Sequence, residues 1–129
     1  MAKLRTIRFE DHKDLHRMLL MEGTLPSEMK FDGIPTWVLW DHEATKGFFT
    51  VDQDNDKASL VHFVTHRKYR SPSLARELVR NMTAVVRWAG FNNLVIHSKS
   101  EALDKCIEYY FKTKPYAIRD HYKFYEVEV

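Results

Sequence analysis

The hydrophobic period of the chain changes between Thr65 and Leu74, and this change most constrains the possible fold. Residues 58–66 (ASLVHFVTH) are rich in β-branched and apolar residues, which favour a strand. The apolar residues that follow recur at helical spacing, at Leu74, Leu78, Met82, Val85, Val86 and Ala89. Gly90 is well placed to end that helix, and residues 93–98 (NLVIHS) form a short apolar strand. We therefore expect a βαβ unit with two parallel strands.

The rest of the chain supplies further strands and two more helices. We expect strands at residues 3–9, 36–42, 47–53, 116–122 and 122–129, and helices at residues 11–22 and 100–113. The order β-α-β-β-β-α-β-α-β-β predicts an α/β fold with a mixed central sheet and helices on both faces. We expect residues 1–129 to form one domain.

Composition narrows the class of protein. The 129 residues are 44% hydrophobic and 29% charged, which is enough to bury a core. Lys+Arg 20 against Asp+Glu 18 is too balanced to predict a nucleic-acid partner. The single cysteine, Cys106, indicates a reducing compartment, and no stretch resembles a signal peptide or a membrane span. We expect a cytoplasmic protein with no membrane partner.

The segment at residues 65–79 (THRKYRSPSLARELV) predicts an anion site. The first turn of a helix has backbone N–H groups without helical partners, and these groups and the helix dipole favour a phosphate. The residues that can present an amide here are Ser71, Ser73, Leu74 and Ala75, whereas Pro72 cannot. Positive charge is added by Arg67, Lys68, Arg70 and Arg76. The alternative is that the serines only cap a helix whose basic residues are solvated.

From Arg5 to the C-terminus, this order and this motif resemble the GNAT superfamily of N-acetyltransferases. The family motif is Gln/Arg-x-x-Gly-x-Gly/Ala, after a strand and a Tyr-Arg pair. The chain keeps Arg70 and Ala75 and departs at Ser73, where the family has glycine. A Cβ at that position partly blocks the close approach of a diphosphate. The resemblance implies a GNAT-like acyl-CoA N-acyltransferase fold and acetyl-CoA as cofactor.

The resemblance also implies which residues bind the cofactor. The diphosphate would lie at Arg70, Ser71, Ser73, Leu74, Ala75 and Arg76. The pantetheine arm would pair with the backbone of Phe63 and Thr65, with Val64 between them. The thioester and the amine would then meet where this strand diverges from its parallel neighbour.

The catalytic acid depends on how a later family pattern, Asn-x-x-Ala-x-x-x-Tyr-x-x-x-Gly-Phe, is aligned. Without a gap, Phe111 takes the place of the tyrosine, which usually protonates the thiolate. A shift by one residue puts Tyr110 there and Cys106 at the small position, because a helix turns about 100° per residue. Tyr110 is our candidate acid; its alternative role is a core aromatic residue.

We expect no metal site, since the sequence offers no third ligand to accompany His12 and His16.

Three histidines are candidate bases for deprotonating the amine. His62 lies on the strand that borders the gap, and His66 and His97 lie at strand ends. We expect His62 to share a face with Leu60 and Val64. A buried, hydrogen-bonded histidine is therefore the alternative to a base.

The resemblance implies an acetyl-CoA-dependent transferase acting on an amine of an unknown small molecule or protein, as a monomer or a homodimer. The amine would enter between residues 24–35 and the C-terminal hairpin, where acidic residues (Glu22, Glu28 and Asp32) attract a cation. The alternative is a non-catalytic binding or structural protein with the same fold, which the departures at Ser73 and Phe111 favour. The ending is also faintly similar to short GNAT-like proteins of tailed bacteriophages.

Overall fold

The computed structural model describes residues 2–42 and 44–129, so Met1 and Glu43 lie outside it. Within that part of the chain there are seven strands and three α-helices. The strands are β1 (Lys3–Thr6), β2 (Thr36–Asp41), β3 (Ala44–Asp54), β4 (Lys57–Thr65), β5 (Asn93–Ser98), β6 (Ala117–Arg119) and β7 (Tyr122–Glu128). The helices are α1 (His12–Met21), α2 (Pro72–Trp88) and α3 (Glu101–Phe111). The predicted order of elements is confirmed.

The strands form one mixed sheet in the order β1-β2-β3-β4-β5-β7-β6. Strands β4 and β5 are parallel, and the other neighbouring pairs are antiparallel. The α2 helix connects β4 to β5, so the predicted βαβ unit is confirmed.

Helices cover both faces of the sheet, as the hydrophobic pattern predicts. On one face α1 packs its apolar side against β2, β3 and β4, through Leu15, Met18, Leu19, Val38, Phe48 and Val64. On the other face α2 and α3 pack against the sheet, in a larger core that includes Leu39, Phe49, Leu78, Met82, Ile96 and Ile107. In the described segments, none of the helices combines the length and apolar character that a membrane crossing requires.

A bulge interrupts the register between β3 and β4. Val51 pairs with Leu60, but the preceding residue, Thr50, pairs with His62, so Val61 has no partner across the ladder. An extra residue of this kind reverses the alternation of side chains along a strand. The side chains of β4 before and after Val61 are therefore out of phase.

The structure contradicts the expectation that His62 shares a face with both Leu60 and Val64. Leu60 packs in the core beneath α2 and α3, whereas His62 packs against Phe31 on the α1 face. Val64 also belongs to the α1 core, so His62 shares a face with Val64 but not with Leu60.

Strands β4 and β5 separate soon after they begin to pair. The ladder joins Ala58 to Leu94 and ends where Leu60 pairs with Ile96. Beyond that point β4 continues to Thr65, still paired with β3. The end of β5 pairs with β7 alone. The two parallel strands therefore leave a gap between their carboxyl ends.

Candidate functional site

A cleft of about 640 Å³ lies at the gap between β4 and β5. Its walls are the end of β4, the start of α2 and one side of α3, on the face of the sheet that carries these two helices. The lining residues are Glu22, Phe63, Val64, Thr65, Arg70, Ser71, Pro72, Ala75, Arg76, Ser100, Ala102, Leu103, Lys105, Cys106 and Tyr109.

The structure brings seven of the nine residues predicted to bind a cofactor to this cleft. They are Phe63, Val64, Thr65, Arg70, Ser71, Ala75 and Arg76. The other two, Ser73 and Leu74, are not among the lining residues: the side chain of Ser73 is exposed, and that of Leu74 packs in the core. This difference follows from the helix, whose successive side chains point about 100° apart.

The end of β4 turns backbone groups toward the gap. The N–H of His66 donates to the carbonyl of Lys46 on the β3 side, at 2.7 Å. Because backbone groups alternate along a strand, those of Phe63 and Thr65 face the opposite side, which is the gap. The carbonyl of Thr65 is already bonded to Arg70, at 2.7 Å. A ligand in the gap can therefore pair with both groups of Phe63 and with the N–H of Thr65.

The start of α2 has fewer free donors than the sequence suggests. The Oγ atom of Ser71 accepts from the N–H of Leu74 at 3.1 Å, and its carbonyl accepts from the N–H of Ala75 at 3.1 Å. Pro72 has no N–H. Within residues 2–42 and 44–129, the amides of Ser71 and Ser73 have no acceptor. Two free amides, rather than four, therefore remain at the start of the helix.

Arg70 is tied to both the strand and α1. Its Nε donates to Thr65 Oγ1 at 3.0 Å, and its Nη2 donates to the carboxylate of Glu22 at 2.7 Å. Arg67 donates to the second oxygen of Glu22 at 2.8 Å. Burial acts to raise the pKa of Glu22, but the hydrogen bonds from Arg67 and Arg70 outweigh it and lower that pKa. Glu22 is thus an ionised partner of two arginines, a role that the sequence did not indicate.

The α3 helix presents a thiol and a phenol to the cleft, on Cys106 and Tyr109. Burial raises the pKa of the Cys106 thiol, which keeps it protonated. The side chain of Tyr109 is 71% exposed at the cleft. Tyr110, the predicted acid, is half-buried against the core with its ring 5.0 Å from that of Phe111. The sequence did not single out Tyr109, because either alignment of the family pattern points elsewhere on the helix.

His62 is buried on the opposite face, under the loop at residues 24–35. Its Nε2 accepts from the N–H of Lys30 at 3.1 Å, and its ring lies 5.2 Å from that of Phe31. Burial lowers the pKa of this imidazole, so it is neutral near pH 7.

The other two candidate bases lie away from the cleft. The Nδ1 of His66 accepts from the N–H of Lys68 at 3.1 Å, and its ring packs near Tyr69. The ring of His97 is exposed and meets Phe124 edge-on at 4.6 Å.

Comparison with known proteins gives similarity in structure rather than in sequence. No family model and no curated protein sequence matches the chain. One similar structure is the PaiA N-acetyltransferase from Thermoplasma acidophilum in complex with coenzyme A, with TM-score 0.78 and 11% identity. That alignment covers 100% of this chain and 99% of the other.

Two further structures show the same likeness. A GNAT-family acetyltransferase from Staphylococcus aureus Mu50 has TM-score 0.72 and 12% identity over 99% of both chains. The ribosomal-protein-S18-alanine N-acetyltransferase from Escherichia coli has TM-score 0.70 and 14% identity, over 99% of this chain and 91% of the other. Together with the diverging strands and the cleft, these matches show that the chain has the fold of the GNAT-superfamily N-acetyltransferases.

Proposed function

We propose that this protein is an acyltransferase that moves an acetyl group from acetyl-CoA to an amine. The observation that carries the proposal is the cleft where β4 and β5 diverge, together with two free amides where α2 begins. The similarity to a structure that binds coenzyme A supports the same cofactor.

In this proposal the cofactor lies along the cleft from α2 to the gap. Its diphosphate accepts from the amides of Ser71 and Ser73, with Arg76 supplying charge and Ala75 leaving room for the backbone to approach. Its pantetheine arm pairs with Phe63 and Thr65 as an additional strand would. Arg70 holds the end of β4 in place through the carbonyl of Thr65.

The proposed reaction is a direct transfer within the gap. The neutral amine attacks the thioester carbonyl, the C–N bond forms, and the C–S bond breaks. Coenzyme A leaves as a thiolate that takes up one proton, and the amine nitrogen loses one. His62 and Tyr110 are our sequence-based predictions for base and acid, and Tyr109 joins them because it lines the cleft. Because Nε2 of His62 accepts from the N–H of Lys30, we propose for His62 its alternative role as a buried, hydrogen-bonded residue, and water takes the proton of the amine.

Melting temperature with and without acetyl-CoA tests the cofactor. A ligand at a hundred times its Kd stabilises the folded state by about 2.7 kcal/mol, which raises the melting temperature of a chain this size by several degrees. Ala75→Glu places a carboxylate at the proposed diphosphate, in a helical turn that tolerates it, and should abolish the rise. Arg70→Glu should abolish it too, although it also breaks the bonds to Thr65.

Arg80→Glu is the matched control for Arg70→Glu, because it makes the same charge change at an exposed residue of α2 outside the cleft. It should keep the full rise. Absence of any rise in the unaltered protein at millimolar acetyl-CoA would refute the proposed cofactor. Binding without release of free thiol across a panel of primary amines would instead indicate a non-catalytic protein with this fold.

A further inference from the structure

The loop at residues 24–35 contacts both of the strands that diverge. The N–H of Lys30 donates to Nε2 of His62 on β4, at 3.1 Å. A carboxylate oxygen of Glu28 lies 3.6 Å from Nζ of Lys99, which directly follows β5. The loop therefore crosses the gap on the α1 face, whereas the cleft opens on the face of α2 and α3.

Aromatic packing fixes the middle of this loop. The ring of Phe31 lies 5.2 Å from that of His62 and is stacked at 5.3 Å on that of His16 from α1. It also lies 6.1 Å from Phe48 in the core of the α1 face. His62 thus touches the loop twice, through a ring contact and through a backbone hydrogen bond.

The hydrogen bond requires a neutral imidazole. A nitrogen that accepts carries no proton, so the single ring proton of His62 is on Nδ1. A protonated ring has two donors, and the N–H of Lys30 would then face another N–H. The charged and titratable groups that face His62 are Glu28 and Lys30 from the loop and His16 from α1; Glu28 favours its protonation and the other two oppose it.

We propose that His62 is a positioning residue that holds the loop at residues 24–35 across the gap and releases it on protonation. With the cofactor filling the cleft on one face, the amine must reach the thioester from the face that this loop crosses. The route of the amine rests on the proposed function. The pH-dependent hydrogen bond between Lys30 and His62, which we call the latch, does not rest on it.

The direction of the pH effect follows from which state binds the proton. The closed loop excludes protonated His62, whereas the open loop accepts it with an ordinary pKa of about 6.5. The closed state is therefore fully favoured above that pH. Below it, the ratio of closed to open loop should fall by up to about tenfold per pH unit.

Hydrogen exchange of the Lys30 amide measures this equilibrium directly. Between pH 8 and pH 7 its protection, corrected for the intrinsic exchange rate, should be constant, and it should decrease below about pH 6. His62→Gln retains an acceptor oxygen but does not titrate, so its protection should not change with pH. His62→Leu removes the acceptor and should lower the protection at every pH.

His16→Gln is the matched control, since it removes the neighbouring imidazole that stacks on Phe31 but keeps the bond to Lys30. It should keep the fall of protection in acid. A flat profile in the unaltered protein, or a decline that persists in His62→Gln, would show that the latch does not exist.

Calorimetry and kinetics separate this inference from the proposed function. In this proposal the closed loop forms one wall of the amine site. At pH 5.5 the KM for an amine should therefore be several times higher for the unaltered protein than for His62→Gln, while the Kd of acetyl-CoA is equal in both. Because both proteins are compared at the same pH, protonation of the amine substrate affects both KM values equally. If acetyl-CoA fails to bind while Lys30 behaves as expected, the proposed function is wrong and the latch stands. If acetyl-CoA binds and the protection of the Lys30 amide does not change with pH, the latch is wrong and the proposed cofactor stands.

Discussion

Glu22 places a carboxylate in the same cleft as the proposed diphosphate, and Arg67 and Arg70 compensate its charge. Glu22→Gln should remove a negative charge while the bonds from Arg70 to Thr65 keep that arginine in position. We expect the Kd of coenzyme A, measured by calorimetry in low salt, to fall roughly two- to fivefold.

Glu28→Gln is the control for this charge change, because Glu28 is also ion-paired but lies on the opposite face of the sheet. It should leave the Kd of coenzyme A unaltered. Weaker binding by Glu22→Gln would mean that the carboxylate orients Arg70 for the ligand, contrary to our expectation.

The adjacent tyrosines of α3 allow a direct comparison of candidate acids. Tyr109 lines the cleft, and Tyr110 packs against Phe111. If a phenol protonates the leaving thiolate, its loss should lower kcat by about 10²–10⁴-fold. We expect this loss in Tyr109→Phe and an activity close to normal in Tyr110→Phe. The opposite result would restore the sequence-based choice of Tyr110, and two unaffected variants would assign the proton to water.

At the scale of elements, the spacing of hydrophobic residues predicted nearly all of the secondary structure. The seven strands, the three helices and the strand-to-helix turn at the cleft were all readable from spacing, whereas the order of the strands within the sheet was not. The bulge at Val61 was not, because adjacent apolar residues such as Leu60 and Val61 are equally compatible with an unbroken strand that is buried on both faces. The orientation of α3 was also not readable, because Tyr109, Tyr110 and Phe111 are three consecutive aromatic residues on a broadly apolar helix.

A partly buried hydrogen bond attaches α3 to β7. The hydroxyl of Tyr125, whose side chain is fully buried, donates to Glu108 at 2.6 Å. Burial and this bond raise the pKa of Tyr125 well above its ordinary value. Tyr125→Phe should lower the free energy of unfolding at pH 7 by about 1–3 kcal/mol, measured by urea denaturation.

The contribution of Tyr125 should also depend on pH in one direction. Because the folded-state pKa is raised, the contribution is complete below about pH 10 and is lost as the unfolded chain ionises above it. The stability difference between the unaltered protein and Tyr125→Phe should therefore shrink from pH 9 to pH 11. Tyr109→Phe, which removes an exposed phenol, should show no such trend; a constant difference for Tyr125→Phe would contradict the assignment.

At the scale of the whole molecule, the sheet has two halves that meet through a short parallel ladder from Ala58 to Leu60. Coenzyme A, if it fills the gap, should slow amide exchange at Phe63 and Thr65 on the inner edge of β4. Adenosine 3′,5′-diphosphate lacks the pantetheine arm and should slow exchange at Ser71 and Ser73 but not at Phe63 or Thr65. Equal effects of both ligands at Phe63 would place the arm outside the gap.

The separation of β4 from β5 beyond Leu60 and Ile96 has a consequence for the kinetics of the proposed reaction. In that proposal the donor occupies the cleft on the face of α2 and α3 and the amine approaches from the other face, so neither blocks the arrival or departure of its counterpart. Initial-rate plots at several fixed concentrations of acetyl-CoA should converge, as expected for a ternary complex, instead of running parallel as for a covalently acetylated intermediate.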